Sequence, residues 1–214
     1  MEDVHIILAA PQQSSIKSLI QSDGYVIGVD GGAKIAWEEN IQLDLALGDF
    51  DSLENSKGSK IIDCAKEVYT FPSEKDDTDA ELALLYVLEN IETENIYIYN
   101  WSGGRQDHLH SLYMLVLQRR FRSLIPKIQF VSENNRIVYY LPGEHELIKH
   151  NSMDYLSIVL LTKVKQLTLK NVKYTVNNVS YEEPRALISN EFLDKKANLS
   201  FKSGIIAVIQ TRDR

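Results

Sequence analysis

The chain has 214 residues, 44% hydrophobic and 25% charged, enough to bury a substantial core as one domain or as two small ones. A single cysteine, Cys64, excludes an internal disulfide and a multi-cysteine metal site and suits a reducing cytoplasm. The net charge of −7 argues against nucleic acid as a partner, and no apolar run reaches the ~20 residues of a spanning helix, so no membrane is expected either.

The chain opens on MEDVHIILAAP, acidic with a short apolar run, which reads as a strand over 4–10 and not as a signal peptide. Further short apolar runs predict strands at 25–29, 45–48, 68–71, 96–100 and 128–131. Helices are expected between them at 14–21, 33–40, 56–66, 79–92 and 108–121. The clearest is 79–92, where Ala80, Ala83, Leu84, Val87, Leu88 and Ile91 recur at helical spacing. Thr78 and Glu81 form a capping box at its start, with Asp79 in the first turn beside the positive end of the helix dipole. Apolar strands alternating with helices predict a Rossmann-like, largely parallel α/β sheet with helices on both faces.

After residue 135 the pattern changes. Pro142-Gly143 separates two extended stretches, which reads as a hairpin. Alternating, branched-residue-rich runs follow at 155–162, 165–172, 197–204 and 205–211, without a helical pattern. The expectation is therefore an α/β domain over 1–135 and an all-β sandwich over 136–214. Charge divides the same way: residues 1–135 carry 22 acidic and 11 basic side chains, net −11, and residues 136–214 carry 8 and 12, net +4.

In an open α/β sheet, ligands bind at the carboxyl ends of the strands. Four polar motifs fall at such ends: VDGGAK (29–34), GDFDS (48–52), KDDTD (75–79) and WSGGRQDH (101–108). Asp30-Gly31-Gly32 is either a turn or a place where bare backbone lets a ligand approach while Asp30 accepts a hydrogen bond. Asp49 and Asp51 point to one side if the backbone stays extended, and two such carboxylates call for a cation between them. Hard oxygen ligands of this kind select Mg2+, which binds through one or two carboxylates plus substrate phosphates. Lys75 is either a counter-charge for Asp76 and Asp77 or a phosphate ligand. Gly103 and Gly104 before a helix make a possible phosphate cradle, and Arg105 offers a fork suited to phosphate oxygens. Asp107 either orients Arg105 or caps the helix. Trp101 is either core or a stacking surface. Neither a Walker A loop nor a G-x-G-x-x-G fingerprint is present.

In order and spacing, Asp30-Gly31-Gly32-Ala33, Gly48-Asp49-Phe50-Asp51-Ser52, Lys75-Asp76-Asp77-Thr78-Asp79 and Gly103-Gly104-Arg105-Gln106-Asp107-His108 resemble thiamine pyrophosphokinase, the bacterial type in particular. LISNEF (187–192) resembles the Ser-Asn motif of that family's β-domain. The resemblance implies pyrophosphate transfer from ATP to the hydroxyethyl oxygen of thiamine, giving thiamine diphosphate and AMP. It also implies a homodimer with active sites shared between subunits. By position, Asp49, Asp51 and Asp79 match the family's Mg2+ ligands. Asp30, Lys75 and Thr78 match residues around thiamine and phosphate, Arg105 and Asp107 the nucleotide-side motif, and Ser189 and Asn190 the thiamine contacts. For the hydroxyl proton, both Asp30 and Asp76 stand as acceptors. Two departures are LAAPQQ (8–13), where relatives have a glycine-rich turn, and NWS (100–102), where small residues are common. The alternatives are another Mg2+-dependent transferase or phosphohydrolase, or a thiamine- or nucleotide-binding protein without chemistry.

Overall fold

The computed structural model describes residues 1–11, 14–50, 65–71 and 76–213. The chain divides into two compact units, Met1–Ser132 and Glu133–Arg214.

The first unit is built on β1 (Asp3–Ile7), β2 (Gly24–Val29), β3 (Leu43–Gly48), β4 (Ala65–Thr70), β5 (Ile96–Tyr99) and β6 (Ile128–Val131). They hydrogen-bond in the order β6-β5-β1-β2-β3-β4, and every one of these pairings is parallel. From β1 the chain steps outward through β2, β3 and β4, then returns to the other flank of β1 with β5. The topological switch point therefore lies between β1 and β5, where a ligand crevice is expected.

Among the described residues the helices on the sheet are α1 (Ile16–Leu19), α2 (Gly31–Glu38), α3 (Asp79–Asn90) and α4 (Gln106–Leu115). On one face, Ile7, Ala46 and Tyr99 join Ile16 of α1 and Ala33 and Ala36 of α2 in a buried cluster. The register places Tyr25 on the opposite face from His5 and Ile7, and there its hydroxyl meets that of Tyr86 on α3. Ala83, Leu84 and Val87 of α3 are fully buried, and α3 packs on β2 and β3. On this face too, Phe130 of β6 meets Trp101 and Tyr113 of α4 edge-on. Burial from both sides is why β1, β3, β5 and β6 read as apolar runs, whereas the edge strand β4 is exposed.

Several expected boundaries move. The helix expected over 108–121 starts at Gln106 and stops at Leu115, with a separate 3-10 turn at Arg119–Phe121. Its last turn tightens into i→i−3 bonds, Leu117 N to Met114 O and Gln118 N to Leu115 O. Of the helix expected over 56–66, residues 56–64 lie outside the described residues, while Ala65 and Lys66 open β4. The expected strand 4–10 ends at Ile7, yet Leu8 N and Ala10 N still donate to Tyr99 O and Asn100 O, so this segment follows β5 past the point where it leaves β2.

The second unit is all-β among the described residues. It comprises β7 (Asn135–Tyr140), β8 (Gly143–Ile148), β9 (Tyr155–Leu160), β10 (Val164–Lys170), β11 (Val176–Tyr181), β12 (Arg185–Asn190), β13 (Lys196–Phe201) and β14 (Ile206–Thr211). Two antiparallel layers form, β12-β9-β14-β7 and β11-β10-β13-β8. Leu156, Ile158 and Val208 of the first layer pack with Leu167, Leu199 and Phe201 of the second in one core. The expected hairpin across Pro142-Gly143 is not one. β7 pairs with β14 and β8 with β13, so the Pro-Gly corner carries the chain from one layer to the other. β11 and β12 were not anticipated, because each is an exposed edge strand whose polar sequence lacks the alternation of a half-buried strand.

Candidate active site

The carboxyl ends of β2, β3 and β5 share an uncommon backbone. Asp30, Phe50 and Asn100 all take positive φ, of 47°, 51° and 51°. Asp30 stands at the N-cap position of α2 with ψ −120°; its N–H donates to Leu47 O at 2.7 Å and its carbonyl accepts from Ala33 N at 3.0 Å. A Cβ built on Gly48 would lie 3.1 Å from the Asp30 Cα, so the bare glycine lets the ends of β2 and β3 close on each other. Asp49 follows directly. Asp51 and Lys75 lie outside the described residues.

The Asp-Gly-Gly glycines serve helix–strand packing here. A Cβ on Gly32 would sit 1.9 Å from the Ile7 carbonyl oxygen, and one on Gly31 would sit 2.9 Å from the Ala9 Cβ. Gly103, at φ +97°, and Gly104 play a similar part at the switch point, since a Cβ on Gly103 would meet Pro11 O at 2.3 Å. Residues 8–11 therefore pack on the Gly-Gly turn through Ala10 and Pro11.

Arg105 occupies the N-cap position of α4 without a side-chain cap. Its Nε and Nη2 donate to the two carboxylate oxygens of Asp107 at 3.1 and 2.5 Å, and Asp107 Oδ1 also accepts from His108 N. Asp107 thus orients the guanidinium and does not cap the helix. The Arg105 bond pulls the Asp107 carboxyl down to about 2, so the pair stays ionised throughout the neutral range. Trp101 is core: it is 5% exposed, donates Nε1–H to Val131 O at 3.2 Å and meets Tyr113 and Phe130.

The capping box at α3 forms as expected, and it commits Thr78. Its Oγ1 donates to Glu81 Oε2 and accepts from Glu81 N, while Thr78 N donates to the same carboxylate. Asp79 begins α3 and Asp76 is exposed. Asp77 is paired with Arg120 at 2.6 Å, which lowers its pKa. Burial opposes ionisation of Glu81, but bonds from Gln118 and Thr78 and the charge of Arg120 outweigh it and hold the carboxyl below its ordinary range. Arg120 and Gln118 escaped sequence reasoning. The signal was the acid-rich run 76–81, for which the local sequence offered Lys75 as the counter-charge.

In the second unit, Ser189 takes φ 59° at a bulge between β12 and β9, and its N–H donates to Ser157 Oγ. Asn190 is buried. Its Nδ2 donates to Tyr174 O and its Oδ1 accepts from Tyr174 N and Glu191 N, so its amide acts as a short strand partner for the Tyr174 backbone.

Among the described residues no three His, Cys, Asp or Glu side chains converge as a metal cage. Asp49 follows β3 and Asp79 opens α3; carboxylates are the donor type that Mg2+ uses when substrate phosphates complete its shell.

Residues 16–125 match the family model of the thiamin pyrophosphokinase catalytic domain, and residues 144–206 match that of the thiamin pyrophosphokinase vitamin B1 binding domain. The thiamine pyrophosphokinase of Bacillus subtilis is 32% identical over 222 residues, covering 100% of both chains. This chain belongs to the thiamine pyrophosphokinase family. A solved family structure from Enterococcus faecalis superposes with a TM-score of 0.88 at 31% identity over 100% of both chains. The Bacillus subtilis thiamine pyrophosphokinase structure gives 0.85 at 28%, again over 100% of both. The Candida albicans thiamin pyrophosphokinase, at 18% identity and 0.78, covers 99% of this chain and 89% of its own, and shares the fold. The parallel α/β unit followed by a β-sandwich is thus the thiamine pyrophosphokinase architecture.

Proposed function

We propose that this chain transfers pyrophosphate from ATP to the hydroxyethyl oxygen of thiamine, releasing AMP. What supports the reading is order along the chain in a member of this family: Asp30 follows β2, Asp49 follows β3, Asp79 opens the helix after β4 and Arg105 stands at the start of the helix after β5. The thiamine oxygen forms a bond to the β-phosphorus, and the bond from that phosphorus to the α–β bridging oxygen breaks. The hydroxyl proton passes to a carboxylate, Asp30 or Asp76. Asp49 and Asp79, with Asp51, would hold Mg2+, which when bound neutralises triphosphate charge. Arg105, aimed by Asp107, supplies a planar fork for phosphate oxygens. Lys75 is proposed as a second phosphate ligand, and Gly31, Gly32, Gly103 and Gly104 as the close backbone around it. Thr78 shapes the same turn through its cap. Ser189 and Asn190 serve the thiamine side, with Asn190 shaping the backbone through Tyr174. The acidic first part of the chain suits the cationic thiazolium.

We also infer a homodimer with shared sites. Tyr174, Ile188 and Leu193, close in sequence to Ser189 and Asn190, are 60%, 67% and 70% exposed. Sedimentation at micromolar concentration should give twice the 24.4 kDa chain mass. A cytoplasmic setting suits the lone Cys64.

The deciding assay is purified protein with ATP, Mg2+ and thiamine, following AMP and thiamine diphosphate together. Nucleotide turnover indifferent to thiamine would instead mark a phosphohydrolase, and binding without AMP a sensor. Asp49→Ala is expected to keep the wild-type circular dichroism and to lose Mg2+-dependent AMP formation by about 1,000-fold or more. Near-normal turnover in that variant would sink the assignment of Asp49.

A further inference from the structure

Four acids fall within six residues at the start of α3: Asp76, Asp77, Asp79 and Glu81. Two of them meet a single cation that arrives from the 3-10 turn after α4. Arg120 Nη2 donates to Asp77 Oδ1 at 2.6 Å and to Glu81 Oε1 at 3.1 Å. Its Nε donates to Gln118 Oε1 at 2.7 Å, and Gln118 Nε2 donates onward to Glu81 Oε1. The guanidinium also lies 4.8 Å from the ring centre of Phe121, which is fully buried, so the cation rests on the core. Glu81 completes the ring by accepting from the backbone N–H and hydroxyl of Thr78.

The clamped residues and the proposed site residues alternate along the chain. Asp77, Thr78 and Glu81 belong to the clamp, while Asp76 and Asp79 flank Asp77 and Thr78. Without a cation, like charges this dense would repel and the turn would open. A lysine could neutralise one partner at a time, whereas the arginine fork spans two carboxylates and an amide at once.

We propose that Arg120 is a positioning residue which, through Asp77, Gln118 and Glu81, holds the turn 76–79 so that Asp79 is presented to a metal–nucleotide complex. The inference rests on the proposed function for the identity of that complex. Arg120 itself touches neither the nucleotide nor the metal. Outer partners that orient metal ligands typically change metal affinity or activity by about 10- to 100-fold when removed.

The test uses the full chain and calorimetric titration with Mg2+ and α,β-methylene-ATP, whose α–β bridge cannot be cleaved. Arg120→Met is expected to weaken binding by about 10-fold or more. The Mg2+ concentration for half-maximal turnover should rise in parallel, and excess Mg2+ should restore turnover while the thiamine KM stays in place. A purely structural role would lower the melting temperature without that metal-rescued shift. Arg120→Lys should fall between the two, and Arg122→Met, which alters an exposed neighbouring charge, should bind as wild type does. Should Arg120→Met not fold, Gln118→Leu breaks the bridge to Glu81 while sparing the Asp77 pair, and should shift the Mg2+ requirement in the same direction. A folded Arg120→Met or Gln118→Leu variant with unchanged titration and unchanged Mg2+ requirement would overturn the proposal. If the wild-type chain forms no AMP from ATP and thiamine, the proposed reaction falls by itself, and the metal–nucleotide titration still decides the clamp.

Discussion

Asp30 is the residue at which backbone and chemistry are in most direct conflict. Its φ of 47° with ψ of −120° suits glycine, and a side chain there costs about 1–3 kcal/mol. The turn persists because Leu47 and Ala33 hold its two backbone polar groups and Gly48 closes against it. Asp30→Gly is expected to unfold in urea at least as late as wild type, by up to about 1 kcal/mol, because relief of strain outweighs the extra chain entropy of glycine. The same variant should lose about 100-fold or more of its turnover if Asp30 takes the proton. A clear loss of stability in Asp30→Gly would refute strain at this position. Arg105 and Asp107 teach a related point. Their spacing allowed both a cap and an orienting pair, and only the two bonds between them chose the second.

At the scale of elements, the glycines mark where a helix must approach a strand. Gly32 lies in the first turn of α2 against the Ile7 carbonyl, and a backbone oxygen cannot swing aside as a side-chain end can. Gly32→Ala should destabilise by about 1–3 kcal/mol in urea unfolding, as overpacking does, by lifting α2 from β1. Wild-type stability in that variant would mean that α2 sits farther from the sheet. The α3 capping box was readable because Thr78 and Glu81 are three residues apart. The break of α4 at Leu115 was not, because the turn that follows it is tied by Gln118 and Arg120 to residues about 40 positions earlier. The Pro142-Gly143 corner misled for a comparable reason. A turn signal says that the chain bends, not whether the two arms then pair with each other.

For the molecule as a whole, stability should depend on pH through a buried imidazole in the first unit. His5 is 1% exposed, its Nδ1 lies 3.0 Å from the Tyr99 hydroxyl, and its ring lies in stacked contact with both Tyr97 and Tyr99. Burial lowers its pKa below the ordinary 6.5, so on acidification the unfolded chain takes up the proton first. Its contribution is full above 6.5 and is lost as pH falls from there toward the folded value. Unfolding free energy should thus decline below neutrality with a His5 share of at most about 1.4 kcal/mol per pH unit. His150 of the second unit, also lowered by burial, acts in the same direction, so the difference between wild type and His5→Gln isolates the His5 share. Identical slopes in the two proteins would contradict a neutral, buried His5. What the sequence by itself determined is whatever repeats locally: apolar runs for strands, the periodicity of 79–92, the four polar motifs and their places at strand ends, and the change to alternating runs in the second half. The tertiary structure alone decided the partners. It brought Arg120 to Asp77 and Glu81, turned the Asp-Gly-Gly and Gly-Gly pairs into packing contacts, made Trp101 core and set Asn190 against Tyr174. Each of those joins residues far apart in the chain, and a contact made by long-range packing leaves no period in the sequence. The carboxylates after the strands could be seen in advance because topology puts every such end on one edge; the arginine that pairs with Asp77 and Glu81 could not.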